Sequence, residues 1–318
     1  MLLYVMSQAK NIVVLWDAEV SFKGAKPFED DNFNETYRYF SELVSERGHK
    51  FFVSHYNRYK NGGLQEAYSY SEGWTKNQDL KVDVVFDKYK FDEKTILIKQ
   101  EIESRHPVVN RFELEKIAKD KLLCAQEFVE HHPETLAANK ENVQQILDKY
   151  GKAVVKPVYD FGGNGVAVIE DISEFEEKKN FLVQQFVDST TGIEELGIEG
   201  VHDLRVVLVN GEPVLSYVRQ PESGYISNVS MGGSMEFIDL EDVPESAMTL
   251  VQNVSETLSG FQPAIFGVDM IFDENQKPWI LELNSKPGLN FYRYEQVKAE
   301  KKKYMEETVE VLCSLAEK

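Results

Sequence analysis

Apolar and polar positions along this chain change period several times, and each change marks an element. The run "NIVVLWD" (11–17) predicts a strand. Over 35–47, Tyr39, Phe40, Leu43 and Val44 recur at helical spacing, and Gly48 supplies a stop. "KFFVSHY" and "VDVVFDKY" predict two further strands. Strand, helix and strand in that order point to a small open α/β unit over roughly residues 8–106. The tyrosine-rich stretch 57–79 is expected to be a long loop, either covering a site or lying as a variable surface loop.

Farther along, "FELEKIAKDKLLCAQEFVEHH" (112–132) carries one helical pattern that Pro133 breaks, and "NVQQILDKYG" carries another with a glycine stop. "AVVKPV" and "VAVIE" predict strands on either side of the loop "YDFGGNG", and "NFLVQQFV" predicts a third. The polar stretch 188–203 reads either as a substrate-facing insertion or as a plain loop. "LRVVLVNGEPVLSYVRQ" is a hairpin turning at Asn210-Gly211. A helical pattern over 244–258 precedes "FGVDMIFDENQKPWILELNSKPGL" (266–289), two apolar strands around a turn. A charged helix from about residue 294 closes the chain, and its lysine run reads as a solvated face.

Composition narrows the function classes. With 318 residues and 42% hydrophobic positions the chain can fill more than one packed domain. No apolar run nears the roughly 20 residues that span a bilayer, so no membrane partner is expected. A formal charge of -19 repels a nucleic-acid backbone, so any phosphate site must be a local basic pocket and a nucleic-acid partner is not expected. Two cysteines, Cys124 and Cys313, make neither a disulfide framework nor a thiolate metal site, which fits a reducing, cytoplasmic setting. "MLLYVM" lacks the features of a secretory signal. Met6 heads a second ordinary start, so residues 1–5 are either a strand-edge extension or upstream of the native start.

Three stretches carry candidate chemistry. The glycines of "DFGGNG" lie between two strands, where backbone N–H groups can approach phosphate oxygens; read alone, the loop is equally a tight turn. It lacks the Gly-Lys-Ser/Thr ending and following helix of a Walker loop. Lys156 sits in an apolar strand just ahead of it, where an anion would justify its desolvation. In 266–289, a four-residue "DENQ" turn would pair Phe272 with Lys277 and set Asp269 opposite Ile280. Val268, Met270 and Phe272 would then share a face with Trp279, Leu281 and Leu283, and Asp269, Glu282 and Asn284 the other. An all-oxygen trio without histidine suits a hard cation such as Mg²⁺.

A strand lysine before a glycine hairpin, followed by a distal Asp and a Glu-x-Asn hairpin, resembles the ATP-grasp superfamily, most closely the branch of glutathione synthetase and the ribosomal-protein S6 glutamate ligase. The resemblance covers roughly residues 110–290 and is most specific in "GVDMIF" and "WILELNSKPGL". It implies an α/β (α+β ATP-grasp) fold: an N-terminal open α/β domain (1–108), a central ATP-grasp subdomain (109–187) and a C-terminal one with the metal site (188–318). By that resemblance Asp269, Glu282 and Asn284 ligate two Mg²⁺ ions, with Mn²⁺ as an alternative. Lys121 and Lys156 meet the nucleotide, and Gly162, Gly163 and Gly165 belong to the phosphate-covering loop. Gln185, Phe186 and Val187 form the adenine hinge, Gln185 standing where the family has glutamate. Asp203, Ser227 and Asn228 join the ATP site, Ile226 replacing the family's arginine. Arg205 and Arg219 lie beside the reacting carboxylate, and Lys286 is a candidate substrate contact.

The resemblance implies an ATP-dependent carboxylate-amine ligase acting through an acyl phosphate on an amino acid or peptide, a peptide or protein C-terminus included. A small-molecule kinase and a non-catalytic ATP-binding module stay open as alternatives. Homodimerisation is a family-level expectation.

Overall fold

Strand β1 (Asn11–Trp16) forms where the first apolar run predicts it, with Ile12 to Leu15 fully buried, in a computed structural model that describes residues 8–17, 20–159, 165–222, 224, 233–289 and 298–318. These residues divide into two compact units, one drawn from Met1–Phe112, Phe261–Ile265 and Lys286–Lys318, the other from Glu113–Gly260 and Phe266–Ser285.

In the first unit, α1 (Asp31–Glu46) starts at Asp30, whose carboxylate accepts the Asn32 N–H, and buries Tyr37, Phe40, Leu43 and Val44 on one face. Gly48, at φ +80, then turns the chain into β2 (Lys50–His55), parallel to β1. The stretch 57–79 is not a loop. It holds β3 (Tyr59–Lys60) and β4 (Gly63–Tyr70), and Trp74 then opens β5 (Trp74–Lys81). Asn61 and Gly62, both at positive φ, make the tight turn between β3 and β4. Leu64, Ala67 and Tyr68 supply a buried set that holds β4 in the sheet. Strand β6 (Val84–Asp87) runs parallel to β1 on its other side, and α2 (Ile96–Arg105) leads to β7 (Val108–Val109). The sheet order is β3-β4-β2-β1-β6-β7, with β5 on β4.

The second unit opens with a correction to the single helix expected over 112–132. Two helices form, α3 (Phe112–Lys119) and α4 (Lys121–Glu127), separated by Asp120 in extended conformation. Its carboxylate accepts the N–H groups of Leu122 and Leu123, so the residue that interrupts one helix caps the next. Next come β8 (Thr135–Ala137), α5 (Lys140–Tyr150) ending at Gly151 with φ +75, β9 (Ala153–Pro157), β10 (Ala167–Ile169) and β11 (Phe181–Gln185). They make an antiparallel sheet ordered β10-β9-β11-β8. Val143, Ile146 and Leu147 of α5 pack on Ala153, Val155 and Val183, which leaves the other face of β9 and β11 to Lys156 and Gln184.

The stretch 188–203 forms a compact loop closed by reciprocal backbone bonds between Ile193 and Ile198, with Ile193 buried. Gly192 is required there: at φ +87, an added Cβ would stand 1.8 Å from the Ile198 carbonyl oxygen. Strands β12 (Asp203–Val209) and β13 (Glu212–Gln220) turn at Asn210 and Gly211, both at positive φ, as expected. Then follow β14 (Ser234–Ile238), α6 (Glu245–Thr257), β15 (Ile265–Phe272) and β16 (Pro278–Asn284), giving the order β14-β13-β12-β15-β16. The last helix, α7 (Lys298–Glu317), belongs to the first unit, where Glu306 accepts the Tyr39 hydroxyl of α1 at 3.0 Å. Among the described residues no helix is long and apolar enough to cross a membrane.

Candidate active site

The β15–β16 hairpin sorts its side chains by a route the expected register missed. Phe272 pairs with Pro278 and Met270 with Ile280, one residue out of the expected pairing. Left unbroken, that register would set Asp269 against Leu281. A bulge between Asp269 and Met270 skips Leu281 and restores the sorting, so Asp269 stands directly opposite Glu282, and Gly267 opposite Asn284. The three oxygen-bearing residues therefore do share a face. The apolar side is Val268, Met270 and Phe272 with Ile280 and Leu283, all buried; Trp279 instead donates its indole N–H to Asp273 in the turn, at 2.9 Å.

The two arginines converge on this face from the neighbouring strands. Arg205 donates from Nε and Nη2 to the two oxygens of Asp269, and from Nη1 to the Tyr217 hydroxyl at 3.3 Å. Arg219 donates to Asp269 at 2.8 Å and to Asp203, its direct cross-strand partner, at 2.7 Å. Asp203, Arg205 and Asp269 are all buried. Burial works against the Asp269 carboxylate, but the Arg205 and Arg219 charges overcome it and hold Asp269 below its ordinary range. Asp203 goes the other way, pushed up by burial with Asp269 adding, while Arg219 opposes.

Two residues of this cluster had escaped the sequence reading. Tyr217 bonds Arg205 and lies within 6.0 Å of both guanidinium carbons. Gly267 makes room for Arg205, because an added Cβ would stand 3.3 Å from its Cδ. A glycine inside an apolar strand was the available signal for the second; nothing in the sequence marked the first.

The lysines come from other elements of the same unit, one from helix α4 and one from the four-stranded sheet. Lys121 is the first residue of α4, with its ammonium 4.0 Å from Glu282. Lys156 is buried on β9 and donates to the Gln184 side-chain oxygen at 2.9 Å. Burial pulls its pKa down to about 8, with the Lys121 charge pulling the same way and Glu282 opposing. Glu282 is pushed up by burial and by Asp269, against Lys121.

At Gly165, φ is +71 and an added Cβ would meet the Pro157 ring at 3.1 Å, so glycine is needed at this end of the loop; Gly162 and Gly163 lie outside the described residues. Ser227 and Asn228 also lie outside them. Gln185 ties β11 to residue 134, its N–H donating to the Glu134 carbonyl at 2.8 Å and its side-chain oxygen accepting the Glu134 N–H at 3.4 Å. Phe186 and Val187 follow it, partly exposed. Lys286 belongs by its contacts to the first unit, where it bonds Asp87 at 2.7 Å and the Tyr89 carbonyl.

The donor set fits a hard cation. A carboxylate has about four lone-pair sites, and the three arginine N–H bonds to Asp269 leave one; Glu282 and the Asn284 amide add oxygens on the same face.

Residues 115–306 match the model of the RimK-like ATP-grasp domain, which is more than half of the sequence. The chain belongs to this family. Among similar proteins, the tetrahydromethanopterin:alpha-L-glutamate ligase of Methanocaldococcus jannaschii is 28% identical over 169 residues, 49% of this chain and 53% of that protein. The chain thus spans about half the length of the curated relatives it matches. Over nearly the whole chain the fold is that of ATP-grasp proteins. D-alanyl-alanine synthetase A from Vibrio cholerae has a TM-score of 0.64 at 15% identity, covering 98% of this chain and 99% of that one. The ATP-grasp ligase PsnB, complexed with a minimal precursor, Mg and ADP, has a TM-score of 0.60 at 12% identity, covering 96% and 97%. In this RimK-like chain, the matched segment contains both lysines, both arginines and the Asp269, Glu282 and Asn284 trio.

Proposed function

We infer that this RimK-like protein is an ATP-dependent ligase that joins the carboxylate of an amino acid or peptide to an amine, a peptide or protein C-terminus included. The observation that carries the reading is the convergence, within one unit, of four cations (Lys121, Lys156, Arg205, Arg219) on the carboxylates Asp269 and Glu282. Phosphoryl transfer asks mainly for positioning and charge stabilisation, which such a cluster supplies without a covalent nucleophile.

In this reading ATP converts the substrate carboxylate to an acyl phosphate, which the amine displaces with loss of phosphate. Lys121 and Lys156 bind and orient the nucleotide phosphates, under a loop that includes Gly162, Gly163 and Gly165. Gln185, Phe186 and Val187 bind the adenine edge, and Asp203, Ser227 and Asn228 complete the nucleotide contacts. Asp269, Glu282 and Asn284 hold Mg²⁺, two ions in the full form and replaceable by Mn²⁺; the metal would offset phosphate charge. Arg219, steadied by Asp203 and helped by Arg205, stabilises the oxyanion that forms as the amine adds to the carbonyl. Lys286 keeps its role as a candidate substrate contact. The alpha-L-glutamate ligases among similar proteins, and the ATP-grasp ligase PsnB complexed with a precursor peptide, support the choice of substrate class. Homodimerisation and a cytoplasmic location belong to the same reading, as does the absence of nucleic-acid and membrane partners.

Incubation with ATP, Mg²⁺ and a pool of amino acids and peptides, read by mass spectrometry and phosphate release, tests it. A new amide with stoichiometric phosphate is expected. Phosphate release that depends on amine but yields no amide would overturn the ligase reading, and a stable phosphorylated product would replace it with a kinase.

A further inference from the structure

Lys156 does not stand alone on its face of the four-stranded sheet. β9 sets Lys156 opposite Leu182 of β11, which brings Gln184 diagonally next to it, and β11 in turn sets Gln184 directly opposite Thr135 of β8. The hydrogen bonds run one way along this row. The Lys156 ammonium donates to Gln184 Oε1 at 2.9 Å, Gln184 Nε2 donates to Thr135 Oγ1 at 2.8 Å, and Thr135 Oγ1 donates to the Pro133 carbonyl at 2.7 Å. Because the row ends on a carbonyl, which can only accept, the Thr135 hydroxyl is fixed as acceptor toward Gln184. That fixes which end of the amide faces the lysine. His132 joins the row, with Nδ1 at 3.0 Å from the Pro133 carbonyl and 3.3 Å from both Thr135 Oγ1 and Gln184 Nε2, and burial keeps it neutral, its pKa pulled down to about 4.

A glutamate at position 184 would also accept a bond from Lys156, but it would form a buried ion pair and cancel the charge. We propose that Gln184 is the positioning residue of the nucleotide site. Its amide, held oxygen-first by Thr135, fixes the Lys156 ammonium without neutralising it and leaves the charge available to a phosphate. The inference rests on Lys156 meeting the nucleotide, and it assigns Gln184 and Thr135 a role that neither needs for sheet pairing, which uses the backbone.

The test is equilibrium titration of the full chain with a fluorescent, non-hydrolysable ATP analogue and Mg²⁺ between pH 7 and 10, with Tm recorded for every variant. Gln184→Glu is expected to weaken binding at pH 7 about tenfold or more, the size of the charge-assisted hydrogen bond that a neutralised Lys156 would no longer offer a phosphate. It should also move the alkaline loss of affinity to higher pH, because the new carboxylate holds the Lys156 proton. Gln184→Leu should weaken binding without that upward move, and Thr135→Val should weaken it with Thr135→Ser restoring it. Lys121, Glu282 and Cys124 also act on Lys156, so Lys156→Ala identifies the part of the profile that belongs to it. Wild-type affinity and an unmoved profile in Gln184→Glu, or a fall in Tm alone, would overturn the positioning role while Lys156→Ala still weakened binding. Wild-type affinity in Lys156→Ala would overturn the nucleotide lysine itself.

Discussion

The two sheets of the second unit hold buried cations in opposite ways. On the five-stranded sheet, Arg205 and Arg219 are locked to the carboxylates of Asp203 and Asp269. On the four-stranded sheet, Lys156 is held by a neutral amide. The pKa directions follow: burial lowers all three cations, but carboxylate charges turn both arginines upward, while Lys156, which among the described residues hydrogen-bonds an amide and not a carboxylate, falls to about 8 although the Glu282 charge opposes the fall. The difference teaches what each side can do. A paired guanidinium is a fixed donor of known direction, suited to a charge that appears briefly. A lysine held without neutralisation keeps its attraction for an anion that must bind and leave.

The sharpest way to break this contrast is to remove the anion that serves both arginines. Asp269→Ala removes the carboxylate that Arg205 hydrogen-bonds among the described residues, and losing one partner of such a buried pair is expected to destabilise the fold by about 3–5 kcal/mol, measured by urea unfolding. A loss under 1 kcal/mol would mean that water or Tyr217 satisfies the guanidinium, and the sheets would no longer differ in kind. Next comes Arg219→Ala. If Arg219 is the oxyanion donor, turnover measured by amide formation should fall about 100- to 1000-fold, and near-normal turnover would remove it from the chemistry.

Lys156→Met probes the other sheet through pH. The folded pKa of about 8 lies below the ordinary 10.5, so between these values the folded state binds fewer protons than the unfolded state. Stability contributed by this group therefore rises with pH through that window and is lost as pH falls toward 8, by about 3 kcal/mol at about 1.4 kcal/mol per unit. Urea unfolding at pH 7, 8.5 and 10 should show wild type gaining on Lys156→Met as pH rises. Parallel profiles would mean that Lys156 is solvated, and the contrast with the arginines would collapse.

How much of this was legible beforehand depended on whether the signal was local. Asn210-Gly211 announced its hairpin because a two-residue turn needs positive φ at both positions and these residues tolerate it. Asn61-Gly62 carried the same signal inside 57–79, yet the strand before it, β3, has only two residues, too few for an alternation pattern, and that hid the hairpin and with it β4 and β5. Asp120 likewise reads as a polar position in one helix until its capping bonds to Leu122 and Leu123 show it between two. The convergence of Asp269, Glu282 and Asn284 was readable from period-2 alternation, although the turn was one residue longer than expected, because the bulge at Leu281 compensated. The lysines and arginines were readable as motif positions. Their partners Gln184, Thr135 and Tyr217 were not, since each pairing is set by register across strands distant in sequence.

Gly267 gives the smallest effect and the finest test of the arginine side. An alanine Cβ would stand 3.3 Å from Arg205 Cδ and 3.4 Å from Cγ, closer than ordinary contact. A flexible side chain would move aside cheaply, but Arg205 is anchored at both ends of its guanidinium by Asp269 and at Nη1 by Tyr217. The crowding therefore has to strain either the stem or the ion pair, and Gly267→Ala should cost about 1 kcal/mol in urea unfolding, the low end for overpacking a buried position. In the Asp269→Ala background the anchor is gone and Arg205 can shift, so the same glycine substitution should cost close to nothing. That non-additivity is the signature of a guanidinium locked by its carboxylate; equal costs in both backgrounds would place the strain in the backbone of β15 and leave the arginine free to move.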